Sequence, residues 1–224
     1  MGVSVHLPRL RPLSARKSAI LSVLDVGTTK IVCLIARLDP IEAGQPSRGR
    51  THGCRILGIG HQRSRGMKAG QVVDMEEAET AIRLAVDAAE RMAGVQVDSV
   101  IVCASGGRIS SQHFQAKVAV GDRSVGEPDI HRVLEATCAR SARDGRAVLH
   151  SLPTSFSVDG AENIRDPKGM IGDELAAHLH VVSTDAAAVR NLGLAVERCH
   201  LTVEAFVASP YASALATLGD DEAE

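Results

Sequence analysis

The chain has 224 residues, of which 45% are hydrophobic and only 2% aromatic, and its formal net charge is −2. That balance fits a packed globular protein and gives no electrostatic case for nucleic acid as a partner. No stretch approaches the roughly 18 apolar residues of a membrane span, and five scattered cysteines that never form C-x-x-C fit reduced thiols better than a disulfide framework.

Residues 1–18 read as a disordered basic tail. Arg9, Arg11, Arg16 and Lys17 all precede the first acidic residue, Asp25, and the stretch lacks the uninterrupted apolar run of a signal peptide. Two β-rich runs, 20–26 and 31–38, are joined by a tight Gly27-Thr28-Thr29 turn, the pattern of a hairpin. Residues 40–52, rich in Gly, Pro, Ser and Arg, read as an exposed loop, and 55–61 as a third strand. The helix signal is clearest at 74–93. Asp74 suits the N-cap with Glu77 completing a capping box, and Gly94 suits the C′ position. Ala78, Ile82, Ala85, Ala89 and Met92 form the apolar stripe. The almost purely apolar run 99–104 predicts a central strand buried on both faces.

After Ala104 the pattern changes. Phe114, Ala116, Val118 and Val120 alternate with Gln115 and Lys117, which predicts a strand with one wet face. A helix is predicted at 127–139, with Pro128 in its first turn and Ile130, Val133, Leu134 and Cys138 on one side. Two further strands, 147–158 and 177–182, flank a loop around Pro167-Lys168-Gly169. The block reads as a small α+β domain inserted at 105–182, with strands that pair among themselves. A helix from Asp185 to about Arg198, a strand at 202–207 and a short helix opened by Pro210 complete the chain.

Asp25-Val26-Gly27-Thr28-Thr29-Lys30 is the strongest candidate for chemistry. Gly27 permits close approach of a ligand to the backbone, and successive amides in such a turn form an anion nest. Thr28 and Thr29 add hydroxyls, Lys30 adds a positive charge, and Asp25 can hold Mg²⁺ through water. The pattern G-x-x-x-x-G-K-[ST] is absent, so this is not a Walker loop. A plain hairpin turn explains the same residues and stays open at this level. His178 and His180 share one face of a predicted strand with Leu179 and Val181 toward the core; two ligands fall short of a metal site. Cys103 reads as a small core residue, and Cys199-His200 lacks an orienting acid. No residue is assigned a catalytic role.

A D-x-G-[ST] hairpin followed by a strand, a helix and a central strand is similar to the opening of the actin, Hsp70 and sugar-kinase superfamily. Four further motifs narrow the resemblance. They are Ser64-Arg65-Gly66-Met67 with Gly70, Val72 and Asp74; Arg146-Ala147-Val148-Leu149-His150; Asp166-Pro167-Lys168-Gly169-Met170 with Gly172; and Ala195-Val196-Glu197-Arg198-Cys199. In that order they resemble motifs of FtsA, the family of bacterial cell-division actin homologues, and the resemblance runs from about Ile20 to the end.

The resemblance implies an α/β fold, the actin-like (ribonuclease-H-like) first lobe. Residues 19–104 and 183–224 would form a nucleotide-binding subdomain, and 105–182 an inserted small α+β subdomain. It implies ATP with Mg²⁺ as a structural ligand on Asp25, Gly27, Thr28, Thr29 and Lys30, where Asp25 replaces the Glu of some members. It further implies FtsZ, actin-like self-association and, through 105–182, later division proteins as partners. The place would be peripheral, on the inner face of the cell membrane at the division site. The family's second phosphate loop, D-x-G-x-G-T, has no counterpart in the sequence. Nor do its second lobe and membrane-binding carboxy-terminal helix. The chain is therefore expected to be an amino-terminal portion, with ATP binding weak or absent in isolation. The alternative is the nucleotide-binding half of another superfamily ATPase or kinase, which would leave the S-R-G-M run and the inserted block unexplained.

Overall fold

The computed structural model describes residues 13–41, 51–141 and 145–218. Most of the predicted basic tail (1–12) and of the predicted loop (42–50) therefore lies outside the described residues. The chain divides into two compact units, one made of Arg108–Ala186 and the other of the described residues on both sides of it.

The flanking unit opens with β1 (Ala19–Val26), β2 (Lys30–Pro40) and β3 (His52–Arg63), an antiparallel ribbon longer than the hydrophobic runs alone predict. A two-rung hairpin, β4 (Met67–Lys68) and β5 (Gln71–Val72), leads into α1 (Met75–Ala93), and β6 (Ser99–Ala104) then runs parallel to β1. Two glycines decide how closely α1 lies on β3. A Cβ on Gly60 would stand 1.7 Å from the Ala85 carbonyl oxygen, and one on Gly58 would stand 2.1 Å from that of Ala89. Helix backbone thus rests on strand backbone, with Ala78, Ile82, Ala85 and Ala89 fully buried.

Asp74 caps α1 by accepting from the Glu77 amide at 3.0 Å, and Gly94 ends it in the left-handed conformation at φ 68°. The reverse arm of a capping box has no donor to use, because the Asp74 N–H is given to the Gly66 carbonyl at 3.1 Å. Met92 also departs from the apolar stripe. It is 65% exposed, and its sulfur accepts from the Ile59 amide on β3 at 3.3 Å.

The inserted unit contains β7 (Ser110–Ser124), α2 (Glu127–Ser141), β8 (Arg146–Val158), β9 (Ala161–Ile164) and β10 (Ile171–Asp185). Its strands pair with one another in the order β7-β10-β8-β9. The alternation at 114–120 orients Ala116 and Val120 inward, and Val120, Val125, Val133, Phe156, Val158, Leu175 and Ala177 form the core beneath α2. β9 and the first half of β10 carry no hydrophobic signal of their own. Ala161-Glu162-Asn163-Ile164 is polar, and Gly172, Asp173 and Glu174 span a register shift against β7.

The chain closes the flanking unit with α3 (Ala186–Glu197), β11 (Thr202–Ala208) and α4 (Ser209–Thr217). The completed sheet has the order β11-β6-β1-β2-β3. β6 lies inside it, with Val100, Ile101 and Val102 all buried. α4, with Pro210 in its first turn, has no buried residue.

Candidate anion-binding site

The turn between β1 and β2 is closed by the Gly27 amide donating to the Lys30 carbonyl at 3.0 Å. A Cβ at Gly27 would crowd the turn, standing 3.0 Å from that same oxygen. Its N–H is therefore spent within the turn. Among the described residues, the amides of Thr28 and Thr29 have no backbone acceptor and are the donors left for a ligand. The side chains of Thr28, Thr29 and Lys30 are exposed.

The glycine-rich segment after β3 braces this turn. The Ser64 amide donates to the Thr29 carbonyl at 3.1 Å, and the Gly70 amide donates to the Thr28 hydroxyl at 2.9 Å. Accepting there leaves the Thr28 hydroxyl proton free to donate. Gly70 in turn presses on Gly106, where a Cβ would stand 2.5 Å from the Gly106 Cα. Gly66, at φ 68°, packs on the start of α1, where its Cβ would stand 2.3 Å from the Asp74 carbonyl oxygen. The glycines of Ser64–Gly70 are thus positions where backbone meets backbone around the turn.

Residues that face each other across an antiparallel ladder share one side of the sheet, as do alternate residues along a strand. Asp25 lies opposite Val32, Val32 opposite His61, and Lys30 opposite Arg63. Asp25, Lys30, His61 and Arg63 are thereby brought to one sheet face beside the turn. Among the described residues, neither Asp25 nor Lys30 forms an ion pair, with the other or with any third residue. The set fits a polyphosphate. It offers two amides, hydroxyls and an ammonium for the anion, and a half-buried carboxylate for a hydrated cation.

Sequence reasoning missed Cys103 as a neighbour of this site. Parallel pairing of β1 with β6 sets Cys103 beside Asp25. Burial, and then the Asp25 charge, push its thiol up to about 11. It is therefore protonated at neutral pH and no nucleophile. Cys199 is also pushed up to about 11, chiefly by burial, and its thiol donates to the Ala195 carbonyl at 3.4 Å. In the inserted unit His178 meets Gln115 at 3.2 Å, and His180 stacks on His113 at 5.0 Å between ring centroids. No group of three or more metal-ligating side chains converges among the described residues.

The motifs outside the turn have structural tasks. Arg146 donates to Asp185 at 3.0 Å, to the Arg108 carbonyl at 3.0 Å and to the Ser183 carbonyl at 2.7 Å. It ties the start of β8 to both ends of the inserted unit's chain. Lys168 reaches Glu127 at 2.7 Å, while the Gly169 amide donates to the Val125 carbonyl at 2.9 Å. The 166–170 loop is thereby held against the start of α2.

Residues 106–183 match the family model described as the SHS2 domain inserted in FtsA. The cell division protein FtsA of Agrobacterium fabrum is 53% identical over 97% of this chain and 49% of its own length. The chain is thus similar to FtsA proteins over nearly its whole length. FtsA of Pseudomonas aeruginosa is 37% identical and that of Escherichia coli 32%, each over 90% of this chain and 46% of the relative. The chain thus spans about half the length of the FtsA proteins it matches. Among solved structures, a chain of a PilM–PilN type IV pilus biogenesis complex superposes with a TM-score of 0.54 at 10% identity. It covers 87% of this chain and 49% of that one. That likeness concerns the fold alone, and the fold is the actin-like α/β one expected from the hairpin and the strands that follow.

Proposed function

We propose that this chain is the nucleotide-holding portion of a cell-division scaffold of the FtsA type, with Mg-ATP as a structural ligand. In that role the full-length protein links FtsZ to the inner face of the cytoplasmic membrane, self-associates into actin-like filaments and recruits later division proteins through 105–182. The observation that carries the reading is the Gly27–Lys30 turn, with Asp25 and Lys30 unpaired on one sheet face among the described residues. It occurs in a chain 53% identical to a cell division protein FtsA. Mg-ATP would supply a polyphosphate there: Thr28 and Thr29 would donate to its oxygens, Lys30 would add charge, and Asp25 would hold the hydrated cation. No described helix is long and apolar enough to cross a membrane.

A chimera tests the reading in cells. Residues 19–218 replace the matching portion of the A. fabrum FtsA, and cells are scored for division after the native copy is depleted. Septation at normal cell length is expected. Filamentous cells despite stable expression overturn the proposal. Removing 105–182 from the same chimera is expected to retain FtsZ capture and lose recruitment of later proteins.

A further inference from the structure

The Ser64–Gly70 segment is bonded to the turn twice, and the turn reading leaves the charges around it unused. Arg63 stands directly opposite Lys30 in the β2–β3 ladder. Like charges on opposed residues of an antiparallel pair repel. Among the described residues no carboxylate pairs with Lys30, Arg63, Arg65 or Lys68, and all four side chains are exposed. A rung of two unpaired cations is unfavourable in the empty protein and favourable once an anion sits between them. Arg63 also precedes Ser64, whose amide holds Thr29. Its backbone is therefore fixed relative to the turn's outward donors.

We propose that Arg63 is a further anion-contacting residue. It joins Lys30 in holding the outer end of a polyphosphate whose inner oxygens lie on the Thr28 and Thr29 amides. A guanidinium suits this place, since it presents paired N–H donors to two oxygens of one phosphate, where an ammonium offers a point charge. The inference rests on the reading of the turn as a phosphate site.

The test is a titration of the 224-residue chain with inorganic pyrophosphate at constant ionic strength, followed by the amide resonances of Thr28, Thr29 and Gly70. Arg63→Glu is expected to raise Kd about tenfold or more, the loss of one charge-assisted contact. It is also expected to raise the ligand-free melting temperature, because the rung becomes an opposite-charge pair. Arg63→Gln is the second variant if the reversal perturbs folding, with a smaller rise in Kd in the same direction. Arg91→Glu, an equal charge change on the exposed side of α1, is expected to stay within about twofold. An unchanged Kd in Arg63→Glu and Arg63→Gln, alongside loss of binding in Lys30→Gln, overturns this inference and leaves the turn reading standing. Absence of pyrophosphate-dependent shifts in the unmodified chain overturns both.

Discussion

The two units each lay one helix on antiparallel strands, with opposite materials. In the flanking unit α1 rests on β3 through Gly58 and Gly60 against Ala85 and Ala89, and no side chain separates the two backbones. In the inserted unit α2 stands off its sheet on Val133, with Val120, Phe156, Val158 and Leu175 below it. Its first turn is pinned by charge. Asp129, 1% exposed, accepts from Arg123 at 2.7 Å through both its oxygens, from Arg132 at 2.9 Å and from the Gly126 amide at 3.0 Å. The first design tolerates no added atom, and the second tolerates no lost charge. The difference would suit the proposed roles: a rigid ribbon fixes Thr28, Thr29 and Lys30, while a charge-pinned helix keeps the inserted unit's surface in shape.

The largest effect that sharpens this contrast is expected from Leu175→Ala. Leu175 is completely buried, and its truncation should cost about 3–5 kcal/mol. Hydrogen exchange should show the loss of protection concentrated in β7, β8 and β10. Equal loss in β1 and β2 would break the comparison by making the units one cooperative block. Gly60→Ala should cost about 2–3 kcal/mol by overpacking against a backbone oxygen that cannot swing aside. It is read by urea unfolding, with loss of protection in α1 and β3. A cost below about 0.5 kcal/mol would mean the helix simply lifts away.

Acid separates the units next. The Arg123 guanidinium, then the Gly126 amide, hold the Asp129 carboxyl at about 2, against an ordinary 3.8. A lowered folded-state pKa means that the network stabilises the protein fully above the ordinary value and is lost as pH falls through the folded one. The inserted unit is therefore expected to lose exchange protection between about pH 4 and pH 2. Asp129→Asn should flatten that dependence. A slope that survives the substitution assigns the acid response elsewhere. The smallest effect is expected from Asp74→Ala, which removes the cap of α1 at a cost of about 1 kcal/mol, measured as a lowered urea midpoint with an unchanged m-value.

These contrasts also mark what could be read in advance. The hairpin, both ends of α1, the buried strand β6 and the one-sided strand β7 were legible because each is announced locally, by periodicity or a capping residue. Gly58 and Gly60 gave no such sign: a glycine in a strand does not name the helix that will press on it. The Arg63–Lys30 rung is a matter of register across a connection of 11 residues, 41–51, and residue types do not fix that register. Cys103 meets Asp25 only because β6 crosses over to lie parallel to β1. The Asp129 network joins residues on either side of a chain reversal, and no local pattern announces that Arg123 pairs with it. The turn was found because Asp, Gly, two Thr and Lys in immediate succession are rare as packing and useful as donors. Its amide budget was not legible, since the Gly27 N–H turns inward.

The central claim is that the Gly27–Lys30 turn, with Asp25, holds nucleotide phosphates. It is tested most directly by isothermal titration of residues 1–224 with Mg-ATP, repeated with Asp25→Ala. A single turn with a few charge-assisted contacts in water should give a Kd of about 1 mM or weaker, near −4 kcal/mol. That binding should be lost in the variant. Binding of any strength that is indifferent to Asp25→Ala would contradict the account.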